Sequence, residues 1–135
     1  MSIRILMVED HLEVREKLWT LLMEESDFEV VDETDNGEEA LELIERESID
    51  VVTMDLNLPL MNGIETAKRI VAGRPDTKII IVSLQSDPQF VKESFKAGAT
   101  GYLLKDCVFE EIVEAIHIVS AGGSYISPEI EIGVP

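Results

Sequence analysis

The chain has little cysteine and lacks any long uninterrupted apolar segment. Its single cysteine, Cys107, has no partner for a disulfide within the chain, so we expect a reducing, cytoplasmic setting. No stretch approaches the ~18 uncharged apolar residues of a membrane-spanning helix. The apolar run Ile3–Val8 ends in two acids, which is unlike a secretory signal. These scarcities argue against a disulfide-rich secreted domain and against an integral membrane protein.

Basic residues are also scarce. Lysine and arginine total 11 against 28 aspartates and glutamates, which gives a net charge of −17. A body this acidic repels phosphate backbones and anionic membranes, so we expect no direct nucleic-acid binding and no membrane binding by this chain. The remaining composition, 45% hydrophobic and 29% charged over 135 residues, is typical of one globular domain with a single core.

Two hydrophobic periods alternate along the chain. Short, nearly continuous apolar runs predict strands that are buried on both faces. There are five such runs: Ile3–Val8, Phe28–Glu33, Ile49–Met54, Lys78–Ser83 and Gly101–Leu104. Apolar stripes at helical spacing between and after them predict five helices. Five strand–helix repeats with short connections predict a five-stranded, parallel, doubly wound α/β sheet.

Chemically active side chains follow four of the predicted strands. Glu9 and Asp10 come after the first, Asp55 after the third, Ser83 at the end of the fourth, and Lys105 after the fifth. In doubly wound sheets, ligands bind outside the carboxyl ends of the strands. We therefore expect these residues to converge on one edge, although the sequence separates them widely.

Three carboxylates on one edge repel each other unless a cation lies between them. Mg²⁺ suits such a site because it prefers oxygen ligands and retains water. Lys105 adds a compact positive charge, and Ser83 adds a hydrogen-bond donor. Together they predict a pocket for a phosphoryl group beside a carboxylate able to attack it.

These residues, taken together, resemble a known family. Glu9-Asp10, the segment MDLNLPLMNG (Met54–Gly63), Val82-Ser83 and the segment GATGYLLKD (Gly98–Asp106) are similar to the motifs of the receiver domain of two-component response regulators. YLLKD and the later AGGSYISPEI resemble the NarL-type, LuxR-family branch, whose members carry a DNA-binding domain after the receiver. The resemblance covers nearly the whole chain.

The resemblance implies a role for each matching residue. Asp55 is the expected phosphoacceptor, receiving its phosphoryl group from a histidine kinase. Glu9, Asp10, Asp55 and the backbone carbonyl of Asn57 are the expected Mg²⁺ ligands, with Asp10 preferred over Glu9 as a direct ligand. The other roles are phosphoryl binding by Ser83 and Lys105, switching by Ser83 and Tyr102, and tuning of the phosphoryl lifetime by Asn57 and Gln85.

The resemblance also implies an organisation and partners. The expected strand order is the flavodoxin-like 2-1-3-4-5. Residues 1–123 are expected to form the receiver, and residues 124–135 a tail or the start of a linker to an output domain absent from this chain. Phosphorylation is expected to change an output surface, to promote homodimerisation and to control transcription.

Three alternatives remain open. A Mg²⁺-dependent phosphohydrolase working through an aspartyl-phosphate prefers a second acid two residues after the nucleophile, where this chain has Asn57; we therefore expect no enzyme. A stand-alone relay protein and a degenerate receiver that only binds partners are the others. His11, beside the acids, is expected to be a solvated residue of the first helical turn.

Overall fold

The computed structural model describes residues 2–59 and 61–130. Strands and helices alternate along the chain as the hydrophobic periods predict. The strands are β1 (Ile3–Val8), β2 (Phe28–Thr34), β3 (Val51–Asp55), β4 (Lys78–Ser83), β5 (Gly101–Leu104) and β6 (Tyr125–Ile126). The helices are α1 (Leu12–Met23), α2 (Gly37–Arg46), α3 (Gly63–Gly73), α4 (Pro88–Lys96) and α5 (Val108–Ser120), with a 3₁₀ turn at Lys105–Cys107 before α5.

The strands form one parallel sheet in the order β2-β1-β3-β4-β5-β6. The prediction of a parallel α/β sheet with five α-helices, and the order of its first five strands, agree with this topology. The predicted number of strands was wrong, because a sixth strand lies beyond β5. A two-residue strand carries no periodicity, so no sequence pattern could reveal it.

Two apolar layers explain why the strand sequences are nearly continuous apolar runs. Side chains alternate along a strand, so Leu6 and Ile81 pack with the layer that includes α2 and α3. Met7 and Val82 point the other way and pack with α1 and α5. Because β1, β3, β4 and β5 are buried on both faces, their sequences contain few polar residues.

The segment after α5 returns to the sheet. Tyr125 pairs with Gly101 and Ile126 with Tyr102, and both Ser127 and Ile130 are buried. Residues 125–130 belong to the segment expected as a C-terminal tail or the start of a linker, and in the structure they lie beside β5. Residues 131–135 of that expected tail lie outside the described residues.

The two sides of the sheet end differently. The short β6 covers β5, whereas β2 forms the opposite edge and presents exposed acids, Glu29 and Asp32, along it. Across the described ranges, 2–59 and 61–130, no helix combines the length and the apolar character needed to cross a bilayer.

Candidate functional site

Asp55 occupies the centre of the sheet's carboxyl edge. It is the last residue of β3, which lies between β1 and β4, and only 1% of it is exposed. Glu9 directly follows β1 and is also buried. Ser83 ends β4 and is buried beside them. Parallel pairing in register therefore brings together residues that the sequence separates by 28 to 74 positions.

The loop after Asp55 is held by close backbone packing. The first residue of α3, Gly63, donates its N–H to the Leu56 carbonyl at 2.9 Å. The Asn62 side chain caps α3 by accepting from the Glu65 N–H at 2.9 Å. A Cβ at Gly63 would clash with the Asp55 carbonyl oxygen and lie 3.0 Å from Leu56 Cα. The absence of a side chain at Gly63 therefore allows α3 to begin against the site.

Gly63→Ala is expected to lower the free energy of unfolding by about 1–3 kcal/mol, because the added methyl group meets backbone atoms that cannot rotate away. Urea denaturation measures this loss. The matched control is Gly73→Ala at the other end of α3, where an added Cβ meets nothing within 4 Å and no loss is expected. Equal stability of the two variants would contradict the steric explanation.

Lys105 reaches this carboxylate pair from the end of β5. Its Nζ lies 3.0 Å from Glu9 Oε2 and 3.1 Å from Asp55 Oδ2, and 9% of the side chain is exposed. One ammonium thus bridges two carboxylates, which are 96 and 50 residues away along the chain. This arrangement partly neutralises charges that would otherwise repel in a poorly hydrated place.

His11 belongs to the same cluster, which the sequence interpretation missed. Its Nδ1 lies 2.8 Å from Lys105 Nζ, 3.2 Å from Glu9 Oε2 and 3.9 Å from Asp55 Oδ2. The ring is 59% exposed, in agreement with the expected solvation, but its inner edge contacts the site. Its position directly after two acids at a strand end was the available signal.

Burial of the carboxylate pair affects protonation. Desolvation raises the pKa of Glu9, and the nearby Asp55 raises it further. The His11 backbone N–H and the Lys105 ammonium, which both donate to Glu9, oppose this rise. The pocket thus favours the binding of additional positive charge.

Ser83, Tyr102 and Gln85 form a second polar contact beside the carboxylates. The Gln85 N–H donates to Ser83 Oγ at 3.0 Å, and the Tyr102 hydroxyl donates to the Gln85 carbonyl at 2.8 Å. Tyr102 lies in the sheet with its side chain buried, and this burial raises its pKa. The structure therefore connects the two expected switch residues through the backbone of the loop after β4.

Three other expected site residues are at the rim with exposed side chains: Asp10, Asn57 and Gln85. The Asn57 backbone N–H donates to Asp55 Oδ1 at 3.0 Å, so this residue contacts the phosphoacceptor candidate through its main chain. At this edge of the sheet, the close group of potential metal-binding side chains is Glu9, His11 and Asp55, and Asp10 is not among them.

The donor set fits a divalent cation. One ligand atom from each of Glu9, His11 and Asp55 lies within 4.8 Å of the others. The Lys105 ammonium contacts all three residues, so the position between them is occupied by a positively charged group. Two carboxylates balanced by one ammonium leave a net negative charge, which hard divalent cations prefer.

A separate polar cluster ties the sixth strand to α5. The Ser127 hydroxyl donates to Glu111 Oε1 at 2.7 Å and accepts from the Leu104 N–H at 3.0 Å. Burial raises the pKa of Glu111, Ser127 opposes this, and the neighbouring Glu129 adds to the rise. Burial and the same acids raise the pKa of the Cys107 thiol to about 11, so it stays protonated at neutral pH.

The raised pKa of Glu111 predicts a pH-dependent stability. The Glu111 carboxyl holds its proton more tightly in the folded chain than in the unfolded chain. The protonated carboxyl therefore contributes to the free energy of unfolding in full below the ordinary pKa of 4.5, and this contribution is lost as pH rises through the raised pKa. Glu111→Gln keeps an acceptor for Ser127 but cannot ionise. Urea denaturation should therefore show the variant gaining stability over the parent as pH rises, and parallel pH profiles would contradict this.

Comparison with known proteins gives one consistent answer. Residues 5–117 match the family described as the response regulator receiver domain. The chain is 38% identical over 129 residues to the transcriptional regulatory protein DegU of Brevibacillus brevis, covering 96% of this chain and 55% of DegU. It is 36% identical over 123 residues to the nitrate/nitrite response regulator protein NarL of Escherichia coli, covering 91% of this chain and 57% of NarL.

A solved structure agrees with these relatives. The chain superposes on a LuxR-family two-component response regulator from Aurantimonas sp. SI85-9A1 with a TM-score of 0.91 and 35% identity, covering 96% of this chain and 93% of that one. The chain spans little more than half the length of the two curated relatives. The family match, these relatives and the shared fold show that this chain belongs to the response regulator receiver domains, in their LuxR/NarL-type branch.

Proposed function

We propose that this chain is a signal receiver that a histidine kinase activates by phosphorylating Asp55. The observation that carries the proposal is the convergence of Lys105 with Glu9 and Asp55 in one pocket, with Nζ–O distances of 3.0 and 3.1 Å. A phosphoryl group on Asp55 carries negative charge that must be neutralised. The fixed Lys105 ammonium beside the Asp55 carboxylate supplies a positive partner for that charge.

The transfer forms a bond between an Asp55 carboxylate oxygen and phosphorus. It breaks the phosphorus–nitrogen bond of the kinase phosphohistidine, whose imidazole leaves with the bonding electrons and takes up a proton. Glu9, Asp10, Asp55 and the Asn57 carbonyl would hold Mg²⁺, which would supply neutralising charge to the phosphoryl oxygens. Lys105, which pairs with Asp55 in the structure, would pair with the phosphoryl group in the phosphorylated chain.

Ser83 and Tyr102 couple phosphorylation of Asp55 to a conformational change outside the site. Ser83 turns its O–H toward a phosphoryl oxygen and donates to it, while its oxygen is the atom that accepts the Gln85 N–H at 3.0 Å. Gln85 also binds the Tyr102 hydroxyl through its carbonyl, so the three residues respond together. Gln85 and Asn57, both exposed at the rim, set how fast water reaches the phosphoryl group.

Residues 1–123 form the receiver in this proposal, residues 125–130 pack onto the edge of its sheet, and the chain beyond them leads toward an output domain outside these 135 residues. Phosphorylation changes the surface of α4, β5 and α5 and promotes pairing of two copies. The net charge of −17 supports DNA contact through the output domain and not through this chain. The greater length and the names of the curated relatives support transcriptional control.

The proposal is tested by incubating the chain with acetyl phosphate and Mg²⁺ and measuring its intact mass. One alkali-labile phosphoryl group per chain is expected. Repeated turnover of phosphomonoesters would instead support the hydrolase alternative, against which Asn57 argues because an amide cannot protonate a leaving group. A folded, metal-bound chain that takes no label would support the degenerate receiver.

A further inference from the structure

The ammonium of Lys105 has three acceptors, which is as many as its three N–H groups can serve. They are Glu9 Oε2 at 3.0 Å, Asp55 Oδ2 at 3.1 Å and His11 Nδ1 at 2.8 Å. Two of the three are the carboxylates of the proposed site, and the third is a nitrogen. A cation in this place is therefore surrounded by two oxygens and one imidazole.

The Nδ1 atom of His11 already contacts groups of the site, with Lys105 Nζ at 2.8 Å and Glu9 Oε2 at 3.2 Å. His11 is the N-cap residue of α1, but its side chain makes no capping hydrogen bond, and its backbone N–H donates to Glu9 Oε2 at 3.0 Å. This backbone contact holds the residue against the pocket. Because an ammonium only donates, the 2.8 Å contact with Lys105 requires the tautomer in which Nδ1 carries a lone pair, and this lone pair points into the site.

The size of the cluster suits direct coordination. The three donor atoms lie within 4.8 Å of one another, and the ammonium is 2.8 to 3.1 Å from each. Metal–nitrogen and metal–oxygen bonds of about 2.0–2.2 Å require each donor to move inward by roughly 1 Å or less. The exposed ring of His11 can make this movement at little cost to packing, since it is not part of either apolar layer.

We propose that His11 supplies a nitrogen ligand when a first-row transition-metal ion such as Mn²⁺ binds this pocket together with Glu9 and Asp55. The Lys105 ammonium leaves as the ion enters. Imidazole suits transition metals better than Mg²⁺, which prefers oxygen ligands, so His11 increases the preference of the site for Mn²⁺ over Mg²⁺. This inference rests on the proposed cation pocket but not on phosphoryl transfer.

The test is pulsed EPR of Mn²⁺ bound to the whole 135-residue chain, because coupling to ¹⁴N reports a directly bound imidazole. The parent should show this coupling and His11→Gln should lose it. His117→Gln is the matched control, since it removes the only other histidine, which is exposed on α5, and should leave the coupling unchanged. His11→Gln should also weaken Mn²⁺ binding about tenfold while changing Mg²⁺ binding less than twofold.

Parent Mn²⁺ without ¹⁴N coupling, coupling that survives in His11→Gln, or no Mn²⁺ binding would each overturn the inference. Labelling with acetyl phosphate and Mg²⁺ separates this result from the proposed function. A chain that takes a phosphoryl group but lacks ¹⁴N coupling refutes only the role of His11. A chain that shows the ¹⁴N coupling but takes no phosphoryl group refutes phosphoryl transfer and still supports His11 as a nitrogen ligand.

Discussion

Asp55→Asn is expected to abolish phosphoryl incorporation from acetyl phosphate, with a loss of at least about 100-fold against a parent that takes one group per chain. An amide oxygen is a far weaker nucleophile than a carboxylate, and no other carboxylate shares the position of Asp55 between Glu9 and Lys105. Asp55 is almost wholly buried, yet its Oδ2 faces the Lys105 ammonium, so one oxygen is directed at the site. Intact-mass measurement after a fixed incubation checks this directly.

Two controls make that result interpretable. Asp76→Asn removes an exposed acid at the opposite edge of the sheet, before β4, and should label like the parent. The thermal midpoint of Asp55→Asn should be no lower than that of the parent, since the change leaves Glu9 paired with Lys105 and removes one of two repelling charges. Labelling of folded Asp55→Asn at the parental level would refute the assignment of the phosphoacceptor.

Lys105→Met is expected to lower the free energy of unfolding by about 3–5 kcal/mol in the presence of a chelator, because it leaves the buried carboxylates of Glu9 and Asp55 without a positive partner. The ammonium lies 3.0 and 3.1 Å from these carboxylates, and methionine preserves much of the apolar stem of the side chain. Urea denaturation measures the loss. Lys92→Met, on the exposed face of α4, should stay within about 0.5 kcal/mol of the parent.

Mg²⁺ should restore part of the unfolding free energy that Lys105→Met loses. The ammonium occupies the cation position, so its removal should strengthen Mg²⁺ binding about tenfold while eliminating the partner of the phosphoryl group. Calorimetric titration of parent and Lys105→Met measures the change in affinity. Weaker Mg²⁺ binding in the variant would mean that Lys105 supports the metal site instead of competing for it.

The fold could be predicted where burial on both faces governs the sequence. The bounds of β1, β4 and β5 agree with the apolar runs, because each strand lies between two layers of helices. β3 begins at Val51 and not at Ile49, because Asp50 uses its carboxylate to accept the Arg4 N–H. The two residues of β6 owe their pairing to the exposed edge of β5, a feature that only the assembled sheet provides.

The site could be predicted where a strand ends in a chemically distinctive residue. This rule located Glu9, Asp55, Ser83 and Lys105, and the structure brings them to one edge. It could not locate the His11 contact, because the direction of a ring at a helix start depends on backbone geometry. The individual roles inferred from the resemblance, for the metal, the switch and the phosphoryl lifetime, remain predictions.

The unequal edges of the sheet limit how copies of this chain can aggregate. Short β6 leaves few unpaired backbone groups beside β5, whereas the seven-residue β2 has an open edge to which another strand could add. Its exposed Glu29 and Asp32 place negative charge along this edge, which repels a second β2 strand carrying the same acids. Amyloid-like growth from this edge is therefore disfavoured.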